Sequence, residues 1–201
     1  MSRFRFPALA VSAVAALLCP CVAQAAPLAV EVRGADGATL AGAVVSIESA
    51  RFRAPAPGGA FIMEQRDIAF APHVLVVPVG ATVGFPNRDR VRHHVYSFSK
   101  PKRFDLKLYG QDDTRKVTFD KAGAVALGCN IHDRMNGVVY VVDTPYAAQV
   151  DGAGRVRFAN VPPGAVTIRV WHPSIRSPGN SLTRDQMLAA GGLATTVSIA
   201  R

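Results

Sequence analysis

Three residues of types that bind soft metal ions stand close together in one short run of the sequence. Cys129, His132 and Met135 follow the pattern C-x-x-H-x-x-M, which brings together a thiolate, an imidazole and a thioether. A strand end followed by a tight loop turns all three side chains toward one point, and a fourth ligand then comes from a strand elsewhere in the sheet. The run therefore predicts a metal site.

The ligand types favour one metal. Thiolate and imidazole suit both zinc and copper, but the thioether of Met135 is a poor zinc ligand. Two histidines, a cysteine and a weak axial methionine form the ligand set of copper sites that transfer electrons. Because such a mixed set accepts both Cu(I) and Cu(II), copper is the predicted ion.

Two adjacent histidines compete for the position of the upstream ligand. His93 and His94 begin an apolar run that includes Val95. Neighbouring residues of a strand point to opposite faces, so only one of the two rings reaches the ion.

The N-terminus has the form of a leader for export. Arg3 and Arg5 precede an apolar stretch over 7–22, and Ala23-Gln24-Ala25 is a small-x-small cleavage pattern. Residues 1–25 are therefore interpreted as a signal peptide and the protein as periplasmic. The alternative is a membrane anchor, but the apolar run is shorter than the ~20 residues that a spanning helix needs.

Removal of this leader changes the cysteine count. Cys19 and Cys21 leave with it, so Cys129 is alone in a compartment where thiols normally form disulfides. A buried position, a bridge to another chain or a bound metal would each account for an unpaired thiol. The neighbouring histidine and methionine favour the metal.

Apolar residues alternate or cluster in short runs between Gly, Pro and Asn-Asp turns, and this pattern predicts an all-β sandwich. One short helical turn is predicted near the C-terminus, in Thr183–Ala190. The runs are Leu28–Arg33, Ala43–Ile47, Val74–Val79, Thr82–Phe85, His93–Phe98 and Val138–Val142.

The two ends of the chain resemble the two halves of one small β-sandwich. Residues 27–52 resemble the first part of a transthyretin-like (carboxypeptidase regulatory-like) module, and 144–201 resemble its second part. A second β domain over 60–143 would then be inserted into a loop of the first. Exposed loops tolerate such insertions because the entropic cost of closing a loop rises slowly with its length. Two consecutive domains or one irregular sandwich are the alternatives.

The central segment resembles a cupredoxin of the amicyanin type, a group that includes proteins labelled methylamine utilization proteins. The resemblance covers about 70–143 and rests on VVPVGATVGFPN, HHVYSFS, GCNIHDRM and VVDTPY. It implies a Greek-key β-sandwich with a single copper ion.

By matching positions, the resemblance implies that His93, Cys129, His132 and Met135 bind the copper. It favours His93 over His94 as the upstream ligand, because cupredoxins commonly carry Asn directly after that ligand and His94 would occupy the Asn position. His94 remains the alternative ligand. By the same matching, Asn87 is expected to be a turn residue near the site and not a ligand. Arg134 also departs from the pattern, since related sequences often carry an aromatic residue there. His73 and His172 are expected to be structural or on the surface.

These features predict a non-enzymatic, one-electron carrier, since four protein ligands leave no open position for a substrate. A copper storage or delivery protein and a non-catalytic interaction module are the alternatives. The net charge of +9, to which Arg3 and Arg5 contribute, would favour redox partner proteins with acidic surfaces. No nucleic-acid motif accompanies this charge.

Overall fold

The protein is described by a computed structural model that covers residues 25–199, in which regular structure is almost entirely β. The predicted signal peptide, apart from Ala25, lies outside the described residues, as do Cys19 and Cys21. The described residues contain no helix long and apolar enough to cross a membrane. The prediction of an all-β sandwich fold is confirmed.

The strands are short and follow the alternating runs of the sequence. In chain order they are β1 (Ala26–Gly34), β2 (Val44–Glu48), β3 (Phe61–Ile62), β4 (Glu64–Arg66), β5 (Ala69–Ala71), β6 (Val74–Pro78), β7 (Ala81–Pro86), β8 (His93–Ser97), β9 (Phe104–Tyr109), β10 (Thr114–Phe119), β11 (Gly123–Gly128), β12 (Asn136–Val142), β13 (Ala147–Gln149), β14 (Arg155–Val161), β15 (Gly164–Trp171), β16 (Ser181–Leu188) and β17 (Leu193–Ile199). A 3₁₀ turn, Pro178–Asn180, precedes β16.

The first and last parts of the chain form one pair of sheets. One sheet has the order β14-β1-β17 and the other has the order β13-β2-β15-β16. Alternate residues of β1, such as Leu28, Val30 and Val32, are buried in a core that they share with Ile47 and Ile168. We call this part the outer sandwich; its likeness to transthyretin-like modules stays a prediction.

The middle of the chain forms a second pair of sheets with its own core. A five-stranded sheet has the order β6-β12-β11-β8-β9 and packs with a three-stranded sheet of order β10-β7-β3. Consecutive strands such as β6 and β7 lie in different sheets, which is the connectivity of Greek-key sandwiches. Val83, Phe85, Phe119 and Val139 are fully buried between the sheets. We call this part the inner sandwich; its segment lies in the chain between β2 and β13.

The two sandwiches meet in a third apolar cluster. Val44 and Trp171 of the outer sandwich pack with Val74, Tyr140 and Val142 of the inner one. The rings of Tyr140 and Trp171 have centroids 5.0 Å apart. This cluster packs the two sandwiches against each other.

The helical turn predicted in Thr183–Ala190 is wrong, because this stretch belongs to β16. All eight residues of β16 pair with β15, from Ser181 opposite Trp171 to Leu188 opposite Gly164. The neighbouring strand satisfies the backbone hydrogen bonds of this segment, so a tertiary contact overrides its local preference. The preceding 3₁₀ turn, Pro178–Asn180, is the one helical element among residues 25–199, and its Gly179 has a positive φ of 69°.

Gly154 offers a test of the outer sandwich. It has φ +77°, and a Cβ added there would lie 2.7 Å from the carbonyl oxygen of Val32. We expect Gly154→Ala to lower the free energy of unfolding by about 1–3 kcal/mol, because alanine is strained at this φ and its methyl group meets backbone. Urea unfolding measures the change. Gly152→Ala is the matched control, since a Cβ at Gly152 meets nothing within 4 Å; an equal loss in both variants would contradict the prediction.

Candidate metal centre

Cys129 lies at the end of β11, with its side chain in the core of the inner sandwich. Val125, Leu127 and Cys129 alternate along the strand and are all buried, which is the period of residues that share one face. The side chain of Cys129 is only 4% exposed, and its thiol forms no disulfide within residues 25–199.

Strand pairing brings Met135 to the same place. β11 and β12 pair antiparallel up to Gly128 opposite Asn136, so Cys129 directly follows one end of this ladder and Met135 directly precedes the other. Met135 is 2% exposed and belongs to the same core cluster as Cys129.

His132 lies in the loop between these two strands, and its ring turns toward the cysteine. The Nδ1 atom of His132 lies 3.6 Å from the Sγ atom of Cys129. The amide of Met135 donates to the carbonyl oxygen of His132 at 2.9 Å, which closes the loop into a tight turn. His132 is only partly buried, so part of this residue reaches the surface.

His93 reaches this point from another strand. β8 lies beside β11, so the start of β8 adjoins the loop that follows β11. The His93 side chain is fully buried, and its Nε2 donates to the Oδ2 atom of Asp89 at 2.7 Å. Its Nδ1 atom is buried without a hydrogen-bond partner among the described residues. The ligand atoms of His93, Cys129 and His132 all lie within 4.8 Å of one another.

His94 points away from this cluster. Its Nε2 atom hydrogen-bonds Asp105, which also accepts hydrogen bonds from the amide and the side chain of Lys107. The Lys107 hydrogen bonds, and next the one with His94, hold the pKa of Asp105 well below its usual range. The structure therefore groups His93, and not His94, with Cys129 and His132.

Asn87 braces the loop that leads into β8. It is fully buried, and its side-chain amide donates to the carbonyl oxygens of Val91 at 2.8 Å and Tyr109 at 3.3 Å. Its Oδ1 accepts the amide of Asp89 at 2.8 Å. The loop is held from inside, which places Asp89 beside His93.

The remaining candidate residues lie apart from the cluster. His73 is exposed, and the Nδ1 atom of His172 hydrogen-bonds Ser174 at 2.7 Å. Partial burial lowers the pKa of His172. Arg134 is exposed on the loop between the two ligand candidates that flank it. Asp89 was missed by sequence reasoning, although a carboxylate four residues before a candidate histidine is a usable signal.

The donor set fits a copper ion. Two donors bound to one tetrahedral metal, at bond lengths of about 2.0 and 2.3 Å, lie about 3.5 Å apart, close to the 3.6 Å between Cys129 and His132. A weak hydrogen bond between sulfur and nitrogen would give the same distance. The Nδ1 atom of His93, which has no partner among the described residues, is independent support for a metal, because burying an unsatisfied polar atom costs free energy that a metal bond would offset. With the Met135 thioether in the same core cluster, the donor types favour copper over zinc.

No protein-family model matches the chain, and no curated protein does. Among solved structures, the chain is similar to a copper-containing nitrite reductase from Thermus scotoductus SA-01, at 28% identity over 42% of this chain with a TM-score of 0.40. That match spans 22% of the reductase. A purple cupredoxin from Nitrosopumilus maritimus is 23% identical over 41% of this chain and 99% of its own, with a TM-score of 0.38. A reduced mutant of amicyanin is 24% identical over 49% of this chain and 98% of its own, with a TM-score of 0.40.

Proposed function

We propose that this chain is a periplasmic copper protein that carries single electrons between redox partners, with His93, Cys129, His132 and Met135 as the ligands. The observation that carries the proposal is the convergence of two imidazoles and a buried thiol, with one ring nitrogen left unpartnered. When bound, copper supplies a one-electron couple between Cu(I) and Cu(II).

The residues around the site suit electron transfer better than catalysis. His93, Cys129 and Met135 are buried, and three of the four proposed ligands come from a loop tied at both ends to paired strands. A site held in this way changes little between oxidation states. Four protein ligands leave no position for a substrate, so we propose that the chain is not an enzyme.

The surface of the proposed centre offers one point of electron entry and exit. His132 is the only proposed ligand that is not buried, and its neighbour Ile131 is 49% exposed. An exposed apolar residue beside a partly exposed ligand suits a partner protein that docks with little trapped water. We propose redox proteins as partners, with acidic surfaces favoured by the basic balance of the chain.

Copper titration of the purified chain tests the proposal. We expect one Cu(II) per chain, an intense visible absorption from thiolate-to-copper charge transfer, and reversible loss and return of this band on reduction and oxidation. A chain that stays colourless and silent in electron spin resonance after oxidation would contradict it. If copper passes to an acceptor faster than electrons are exchanged, the delivery function replaces the carrier function.

The adjacent histidines provide a matched pair of variants for the same experiment. We expect His93→Asn to abolish the intense band, because it removes a proposed ligand, and His94→Asn to keep it. The fluorescence of the single tryptophan, Trp171, reports whether each variant is folded. Equal loss of the band in both folded variants would contradict the ligand assignment.

A further inference from the structure

Asp89 receives three hydrogen bonds that tie a distant turn to a proposed copper ligand. Its Oδ2 atom accepts from Nε2 of His93 at 2.7 Å and from the amide of Ile68 at 3.0 Å, and its Oδ1 atom accepts from the amide of Asp67 at 2.8 Å. The carboxylate is 14% exposed. Charge-assisted hydrogen bonds of this kind are stronger than neutral ones, so this carboxylate has one defined orientation.

The turn that supplies the two amides has a strained backbone. Asp67 and Ile68 connect β4 to β5 and have φ values of 55° and 56°. Two-residue hairpin turns of this type favour Asn-Gly, and a β-branched residue at positive φ is unfavourable. Such strain persists where surrounding contacts determine the conformation. Here the contact is the Asp89 carboxylate, which both amides face.

The consequence for His93 follows from its two ring nitrogens. Because a carboxylate oxygen only accepts, the contact with Asp89 requires the ring proton on Nε2 and leaves the lone pair on Nδ1, the atom that is buried without a partner among the described residues. A carboxylate bonded to a ligand histidine fixes the ring orientation and raises the basicity of the ligand. Its negative charge also stabilises the more highly charged metal ion.

We infer that Asp89, oriented by the Asp67–Ile68 turn, is a positioning residue that fixes His93 as the Nε2–H tautomer and favours Cu(II) over Cu(I) at the centre. The part of this inference that concerns copper rests on the function proposed above. The part that concerns the tautomer holds for the chain without metal. The two parts are therefore tested separately.

The first test is nitrogen NMR of the histidine rings in the copper-free chain. We expect the His93 signal of the native chain to be that of a single Nε2–H tautomer, and Asp89→Asn and Asp89→Ala to shift it. Asp105→Asn is the matched control, because Asp105 makes the same contact with the adjacent His94. It should leave the His93 signal unchanged. An Nδ1–H tautomer in the native chain, or equal shifts with Asp89 and Asp105 variants, would overturn the inference.

The second test measures the affinities for Cu(II) and Cu(I) separately. In Asp89→Ala we expect the Cu(II) affinity to fall by about ten- to a hundredfold, with a smaller loss for Cu(I). Asp89→Asn should shift the ratio in the same direction, because it removes the charge and keeps a similar shape. Unchanged affinities in both variants would overturn the copper part of the inference. A chain that binds no copper, but whose His93 tautomer depends on Asp89, would overturn the proposed function and leave the tautomer part standing.

Discussion

Replacing Cys129 with serine is expected to remove the intense visible absorption of the copper-loaded protein entirely. The band requires a thiolate bound to the metal, and a serine hydroxyl is a hard donor that stays protonated near neutral pH. The two side chains are similar in size, and Cys129 is buried at a strand end, so the fold should tolerate the change. Visible spectra and the Cu(I) affinity measure the effect.

Met135→Leu is the matched control for this variant. Met135 is also buried and belongs to the same core cluster as Cys129. Leucine conserves its volume, so this variant loses the thioether and little packing. We expect it to keep the intense band, because an axial thioether is a weak ligand. Retention of the band in Cys129→Ser, or its loss in both variants, would show that the absorption does not come from the proposed thiolate bond.

Replacing Trp171 with alanine is expected to lower the free energy of unfolding by about 3–5 kcal/mol, the usual cost of removing a large buried aromatic side chain. Trp171 is 3% exposed and packs against Tyr140 where the two sandwiches meet. The loss should therefore weaken the contact between the sandwiches. Urea unfolding followed by far-ultraviolet circular dichroism measures it, since the variant has no tryptophan.

Trp171→Phe separates ring packing at this contact from the effect of burying the indole nitrogen. The indole Nε1 of Trp171 is buried without a hydrogen-bond partner among the residues that the structure describes. Phenylalanine removes this polar atom and keeps a ring against Tyr140, so its cost should be less than half that of alanine. If the free energy of unfolding of Trp171→Ala lies within about 1 kcal/mol of that of the native chain, the contact does not stabilise the protein.

The two sandwiches contribute differently to the proposed copper site. His93, Cys129, His132 and Met135 all belong to the inner sandwich, at the ends of β8, β11 and β12. The outer sandwich contributes Trp171 and Val44 to the contact cluster but none of the proposed ligands. Variants at this contact should therefore change stability more than they change the copper spectrum.

Much of the fold class and part of the candidate site could be predicted from the sequence. Alternating apolar residues and frequent turns predict strands, because the side-chain period of a strand is local. The C-x-x-H-x-x-M run predicts a donor cluster because its residues are also close in sequence. Cys129, His132 and Met135 lie at one strand end and in the loop after it. Their chemical types favour copper without any knowledge of distant contacts.

Tertiary structure decided what depends on pairing between distant segments. Which of His93 and His94 faces the thiol depends on the side of β8 that packs inward, and Ser181–Leu188 became a strand because β15 lies beside it. The hydrogen bonds from the Asp67–Ile68 turn to Asp89 join two segments that no local pattern connects. Hydrogen bonds between distant segments depend on how the sheets pack, and the local periodicity of the sequence does not determine that packing.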